Sequence, residues 1–568
     1  MKNKKQFGWM ILIITLIIFI LGGYAYYAVS NSDTIYYWDA SYYWAWTIKV
    51  KNLFEVDILS AFREVYQSII KLDYSYVPSL FLVIPLRLFG ISRLVYVESI
   101  MFFAVVFEVV FLLLVYRCDR ESISSVFNNL NSALKINFVF ICVLGLNINN
   151  VLTAPILEGL PDAVGLVFIG FILHISYTIL YKKLSKTRII LLAVQTALLL
   201  CLLPITRRWY VFWILGLGCS VFLIGTIKLF QRKIFIEKQY FSFWILSGII
   251  SLFIMFTFFK DFIIRNVTVN YSKMYIAYNT NLGNKLISII NQFGIITLVL
   301  CAIGLFCTLK TKKIACFSFL VFSTSVIAVS LFMQVQNFSP QHFYLLLPGV
   351  MFFACFGILA MIKFCFLNHK LVCTMLFLLL SLNFVNNNFV NDNKNCMKLM
   401  GVKNSPTVFK MKKKFEDMIQ DILTNRIDED NMIYLVAASD DINSSKIQSI
   451  DLPEKFNDYK NFYHTHDVDE RDGFSWDALK AQYILIFNPA QDQHLPGHQE
   501  IIGVFNDMIL QGEAKESVSL IKEYKLSESV TGYLFKKNKN YSKEFVNNLI
   551  KRIKISNPKA IITDDPNI

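Results

Sequence analysis

Charged residues are scarce here: Asp, Glu, Lys and Arg make up 17% of the 568 residues, where a soluble domain averages about 25%. No CxxC pair and no Cys/His zinc spacing occurs among the eleven cysteines, ten of which lie in or beside apolar runs. Neither a zinc module nor a disulfide framework is therefore implied; small apolar residues packed between helices account for them. GxGxxG and P-loop patterns are missing too, so nucleotide binding has no support. The formal charge of +14 comes without any nucleic-acid motif, which argues against nucleic acid as a partner. There is no clear internal repeat of the sort that transporters built from two related halves display.

What is abundant is apolar: 55% of the chain is hydrophobic and 15% aromatic. Nearly all of the apolar runs lie before Asn388, and the remainder reads as an ordinary soluble protein. Two domains follow, residues 1–388 in the membrane and residues 389–568 outside it. A membrane helix needs about 20 apolar residues, because its backbone must satisfy itself across about 30 Å of hydrocarbon. On that measure about eleven helices are expected: Phe7–Val29, Leu94–Tyr116, Leu134–Asn147, Ala163–Tyr181, Ile189–Pro204, Tyr210–Phe230, Phe241–Phe259, Gly294–Leu309, Ile314–Met333, Phe343–Phe366 and Lys370–Val385. The first has a basic start (Lys2, Lys4, Lys5) like a secretory signal, but its apolar run is about 20 residues long and no clear cleavage site follows, so it reads as a retained span. A long polar segment runs from Ser30 to Ser79, and Leu80–Gly90, with Pro85 and Arg87, is too short to span and reads as interfacial or re-entrant.

Basic clusters at Lys2/Lys4/Lys5, Arg117/Arg120, Lys182/Lys183/Lys186/Arg188, Arg232/Lys233/Lys238, Lys310/Lys312/Lys313 and Lys370 fall on one side of this arrangement. The positive-inside rule makes that side cytoplasmic, so the N-terminus is expected inside and the C-terminal domain outside. Lys49, Lys51, Arg63, Arg207, Arg208, Lys260 and Arg265 go against the trend. The tail carries strand-like runs at Met432–Ala437, Tyr483–Phe487 and Gly532–Phe535 and helical patterns at Met411–Leu423 and Glu500–Leu510, which predicts a small α/β layer.

Four features converge on the outer face. Asp33 and Asp39 sit in an aromatic first loop, DTIYYWDASYYWAW. Aromatic residues alone would be an interfacial belt, but belts do not require acids, which are costly near lipid. Glu158 and Asp162 lie in EGLPDAVG, where Asp162 would serve equally well as a helix cap. Arg207 and Arg208 lie in TRRWY, as snorkelling side chains or as a phosphate clamp, since guanidinium binds phosphate in a fixed bidentate geometry. His342 and Tyr344 lie in FSPQHFYLLLP, where the imidazole is either structural or a partner for phosphate or sugar. In the tail, His464, His466 and Asp467 read as a polar surface turn rather than a metal site.

An acidic residue in an aromatic first loop, the segment YVPSLFLVIPLRLFG (Tyr76–Gly90), Arg93 at the next helix start and a second acidic site between later helices together resemble the GT-C membrane glycosyltransferases. The nearest likeness is the protein O-mannosyltransferase and aminoarabinose-transferase branch, over roughly residues 7–350. Two departures are visible: Asp39 is followed by Ala40 instead of an acid, and the proline-rich element is reduced to VPSL. The resemblance implies an inverting transfer of a sugar from a polyprenyl-phosphate donor to a cell-envelope glycan or polymer, at the outer face of the cytoplasmic membrane and without a nucleotide sugar. It implies Asp39 as base with Asp33 as its partner, Glu158 and Asp162 as a second acidic site, and Arg93, Arg207, Arg208, His342 and Tyr344 at the donor phosphate. No cofactor and no metal is expected, although carboxylates of this kind can hold a divalent ion. The rival class is a transporter or flippase of a lipid-linked saccharide, favoured by Glu108 inside an apolar run.

Overall fold

The structure is a computed structural model describing residues 2–122, 148–230, 234–271, 275–364, 408–426, 432–450, 462–464 and 467–562, with a few isolated positions between 378 and 401. The chain divides into two compact units. The first comprises Met1–Asn31, Trp46–Val269 and Thr280–Pro406; the second comprises Ser32–Ala45, Asn270–Asn279 and Thr407–Ile568.

The first unit is helical. Among the described residues, seven helices are long and apolar enough to cross a membrane: Ile14–Asn31, Arg93–Cys118, Ala163–Tyr181, Lys186–Thr206, Tyr210–Ile227, Lys238–Phe258 and Ala315–Val335. Leu282–Phe293 and Ile295–Lys310 make an eighth if the pair, bent by 91° at Gly294, counts as one span. This is a multi-pass membrane protein. The expected spans Leu134–Asn147 and, for the most part, Lys370–Val385 lie outside the described residues. The expected Phe343–Phe366 divides into a 3-10 turn, Pro340–Leu345, and a helix, Leu347–Phe364.

The outer helices of this unit expose apolar side chains, as those of a soluble bundle do not. Ala163–Tyr181 is 89% buried and forms the centre, whereas Lys238–Phe258 is only 11% buried, and Ile245, Ile249, Leu252, Phe253 and Phe256 face outward. Exposed apolar rows of that length match a hydrocarbon solvent. Helices approach most closely at glycines: a Cβ added at Gly304 would overlap the Phe353 carbonyl, and one at Gly357 would overlap the Leu300 carbonyl.

Part of the polar segment after the first span is helical. Helix α1 covers Lys2–Asn31, α2 covers Trp38–Val56 and α3 covers Ile58–Lys71. The Asp57 side chain starts α3 by accepting the Leu59 and Ser60 N–H groups, each at 3.0 Å. Ala61, Val65 and Ile69 recur every four residues on its buried side, and its other face carries Leu59 and Phe62 beside Arg63 and Glu64, as an interfacial helix requires. Helix α4, Val77–Phe89, has 13 residues, about 20 Å of rise, which is short of a span as expected.

The second unit holds a five-stranded sheet, order β2-β1-β3-β5-β4: β1 Ile433–Leu435, β2 Phe462–His464, β3 Tyr483–Asn488, β4 Val518–Lys525 and β5 Thr531–Lys537. The β1, β2 and β3 strands are parallel; β5 and β4 are antiparallel additions. Residues alternate between two cores. Tyr483, Leu485 and Phe487 pack with Phe415, Met418 and Ile419 of the helix Lys412–Asp421. Ile484 and Ile486 pack with the helices Glu500–Leu510 and Lys543–Ser556. Coverage of both faces explains why YILIF is continuously apolar. The strand β2, the strand β4 and the last helix are additions to the sequence expectation. The first-loop segment joins this unit through its own side chains: Ile35 lies in one core, and Trp38 packs against the other.

Candidate functional site

Within the first unit, two helix ends bring charged residues together. The helix Lys186–Thr206 stops at Arg207, and Tyr210–Phe230 begins three residues later. The tight TRRW turn therefore presents Arg207, Arg208 and Trp209 from one place. Asp162 precedes the helix Ala163–Tyr181, yet its carboxylate makes no capping bond. It accepts Arg207 Nε at 2.8 Å and the Trp209 indole N–H at 3.2 Å. The Tyr210 hydroxyl donates to the Asp162 carbonyl at 2.8 Å. Arg207 and Asp162 side chains are 2% and 0% exposed, so each ion has the other as its compensation for lost water. Asp162 is thus an ion-pair partner rather than a cap.

Arg208 points elsewhere. Its Nη1 is 3.4 Å from Asp73, and Arg265 Nε is 3.6 Å from the same Oδ1. The Tyr74 ring lies 5.0 Å from the Arg207 guanidinium and 5.1 Å from that of Arg208, within range of cation–π attraction. The Ser75 hydroxyl donates to the Ile205 carbonyl, fixing the Asp73–Ser75 turn to the end of the arginine-bearing helix. Arg265 also donates to the carbonyls of Ile69 and Leu72 at the end of α3. Two guanidinium groups therefore reach one carboxylate that is 43% exposed. The sequence marked Arg265 only as an exception to the charge bias, and it gave no reason to single out Asp73 or Tyr74.

The remaining expected residues divide. His342 is buried, edge-on to Trp209 with ring centres 5.5 Å apart. Its Nδ1 accepts the Ser339 N–H at 2.9 Å, which leaves the proton of the neutral ring on Nε2. Burial, and then the nearby Arg207 charge, push its pKa down to about 3. It is a neutral ring that can act as a hydrogen-bond donor but not as a cation. The Tyr344 hydroxyl donates to the Leu152 carbonyl at 2.6 Å. Glu158 is exposed, beside Gly159, whose carbonyl accepts the Tyr96 hydroxyl at 3.0 Å. Arg93 is half-buried as the first residue of the helix Arg93–Ser122.

Asp33 and Asp39 belong to the second unit. Asp33 is exposed and paired with Lys412 at 2.7 Å, and its carbonyl accepts the Phe409 N–H at 2.7 Å, so it staples the loop to the soluble domain. Asp39 lies in the first turn of α2, where a carboxylate is favoured by the helix dipole. Tyr42, one turn later, is held above the ordinary phenol pKa by burial and by the Asp39 and Asp467 charges. Asp467 is itself raised to about 6 by burial, and Tyr278 donates to it at 3.3 Å. Of the tail's His464, His466 and Asp467, the side chains of the two histidines lie outside the described residues. Among the described residues, no three His, Cys, Asp or Glu groups are placed to hold a metal ion.

No protein-family model and no curated protein sequence matches this chain. Solved structures do. ArnT from Cupriavidus metallidurans bound to undecaprenyl phosphate superposes with a TM-score of 0.51 at 8% identity, covering 93% of this chain and 98% of that one. The same protein in the apo state gives 0.50 at 9% identity with the same coverage. At so low an identity the agreement is one of fold, spanning both the helical unit and the soluble domain. The chain has the fold of these ArnT structures.

Proposed function

We propose that this protein is a membrane glycosyltransferase that moves a sugar from a polyprenyl-phosphate donor to a cell-envelope glycan or polymer at the outer face of the cytoplasmic membrane. The observation that carries the reading is the arginine cluster: Arg208 and Arg265 around the half-exposed Asp73, backed by the buried Arg207–Asp162 pair. Guanidinium groups suit a phosphate leaving group, whose charge grows as the glycosidic bond breaks. The likeness to a fold seen with undecaprenyl phosphate supports the same donor chemistry.

In the proposed reaction the acceptor hydroxyl oxygen attacks the anomeric carbon, and its proton passes to the Asp39 carboxylate. The bond from that carbon to the phosphate oxygen breaks, its electron pair leaving with the lipid phosphate. The anomeric centre inverts in this single displacement. Arg208, with Arg265, takes the phosphate charge; Arg207 and Asp162 hold the turn that presents Arg208. Glu158, Arg93 and the Nε2–H of His342 are further contacts on this reading, and Tyr344 supports the Leu152 backbone. Transfer is proposed to need no divalent ion and no cofactor, with the N-terminus cytoplasmic and the C-terminal domain outside.

The test is sugar transfer by purified protein from a panel of undecaprenyl-phosphate sugars to cell-envelope glycan, with and without EDTA. Wild type is expected to transfer in both conditions, and Asp39→Asn to retain donor binding but lose transfer. Equal transfer by Asp39→Asn removes Asp39 as the base. Glu108, 2% exposed inside the span Arg93–Cys118, favours a flippase. Lipid translocation in vesicles without a new glycosidic bond would select that second reading.

A further inference from the structure

Among the described residues, Trp38 alone of the non-glycines has a positive φ, at 47°. Bulky side chains avoid this region because Cβ crowds the backbone. Such a conformation persists only where its surroundings fix it. Trp38 is also the first residue of α2, immediately before Asp39, so the direction in which that helix starts is set at this bend.

The groups that fix it come from one short stretch of the soluble domain. The Trp38 N–H donates to Ser445 Oγ at 2.8 Å, and its indole N–H donates to Asp440 Oδ1 at 3.0 Å. The Ser445 hydroxyl donates to Asn443 Oδ1 at 2.7 Å. Asn443 in turn caps the helix Ser444–Gln448, accepting the Lys446 N–H at 2.9 Å. The Lys446 ammonium stands 4.8 Å from the centre of the Tyr37 ring. On the other side of the bend, the Ser41 hydroxyl closes the first turn on the Trp38 carbonyl at 2.7 Å. Of the two hydrogen bonds that reach Trp38 across the sequence, the one from Ser445 thus comes from a group that is itself held.

We propose that Asp440 and Ser445 are positioning residues for Asp39: by gripping Trp38 in its left-handed conformation, they fix where the Asp39 carboxylate points. This rests on Asp39 being the base of the reaction proposed above. It gives the soluble domain a part in the chemical step, through orientation, besides any recognition of the acceptor.

The experiment uses full-length protein, undecaprenyl phosphate carrying aminoarabinose, mannose or glucose as donor, and envelope glycan as acceptor. Ser445→Ala and Asp440→Ala are expected to lower kcat roughly 10–100-fold, the range for a misplaced reacting group. The donor KM and undecaprenyl phosphate binding stay unchanged. Asp440→Asn keeps an acceptor oxygen for the indole and Ser445→Thr keeps the hydroxyl, so both retain wild-type kcat. Wild-type kcat in the alanine variants overturns the positioning role alone. Where an alanine variant does not fold, loss of kcat in both conservative variants overturns it. Absence of transfer by wild type from every donor overturns the glycosyltransferase reading and this inference together.

Discussion

Asp162 shows what a residue's chemical type does and does not determine. Its place before a helix allowed a cap or part of a second acidic site; its carboxylate makes no capping bond and faces Arg207, 45 residues further on, and the two are sealed from solvent. An uncompensated ion at such a site costs about 3–5 kcal/mol. Arg207→Ala and Asp162→Asn should each lower the thermal unfolding temperature in detergent well below that of wild type. Replacing both partners by apolar residues of similar size, as in Arg207→Met with Asp162→Leu, should recover most of the loss, because no buried charge then remains. Single variants that melt like wild type would mean that the pair contributes nothing to the fold. The candidate residues were legible one by one, as acids and arginines in places where lipid and the charge bias disfavour them. Their pairing was not, since it depends on how two distant helix ends meet. Asp73 and Tyr74 gave no signal for the same reason: an ordinary loop dipeptide becomes part of the site only when Ser75 is bound to the Ile205 carbonyl.

At the scale of elements, hydrophobic length marked the spans well, because hydrocarbon thickness is a strict ruler. Ala163–Tyr181 has the bounds the sequence predicts. The stretch after the first span was harder, since α3 is amphipathic and its alternating polar residues dilute the apolar signal. In the soluble domain, the central strand β3 was visible as YILIF, whereas β2 is only three residues long and β4 is an edge strand whose Ser519, Lys522 and Glu523 break the apolar pattern. Nor does sequence alone show which glycines matter. Gly304 and Gly357 lie where Ile295–Lys310 crosses Leu347–Phe364, each against the other helix's backbone. Small residues at such crossings let helices pack in lipid. Gly304→Val or Gly357→Val should therefore force the pair apart at a cost of about 1–3 kcal/mol, seen as a lower melting temperature in detergent. Gly248→Val, where nothing lies within contact distance of an added Cβ, is the control expected to melt like wild type.

For the whole molecule, composition told membrane from soluble chain. What composition hides is that the first-loop segment Ser32–Ala45 folds with the tail, through Ile35, Trp38 and the Asp33–Lys412 pair. Trp38, immediately before Asp39, is therefore held by the C-terminal domain although it is far from it in sequence. The proposed reaction depends on the arginine cluster of the helical unit receiving a lipid phosphate. Binding of undecaprenyl phosphate to the purified protein, compared with phosphate-free undecaprenol, tests it most directly. Tight binding is expected of the phosphate form only. Arg208→Ala and Arg265→Ala should each weaken that binding by roughly 10–100-fold, the loss of a charged hydrogen bond. Equal binding of undecaprenol, or wild-type affinity in both arginine variants, would contradict it.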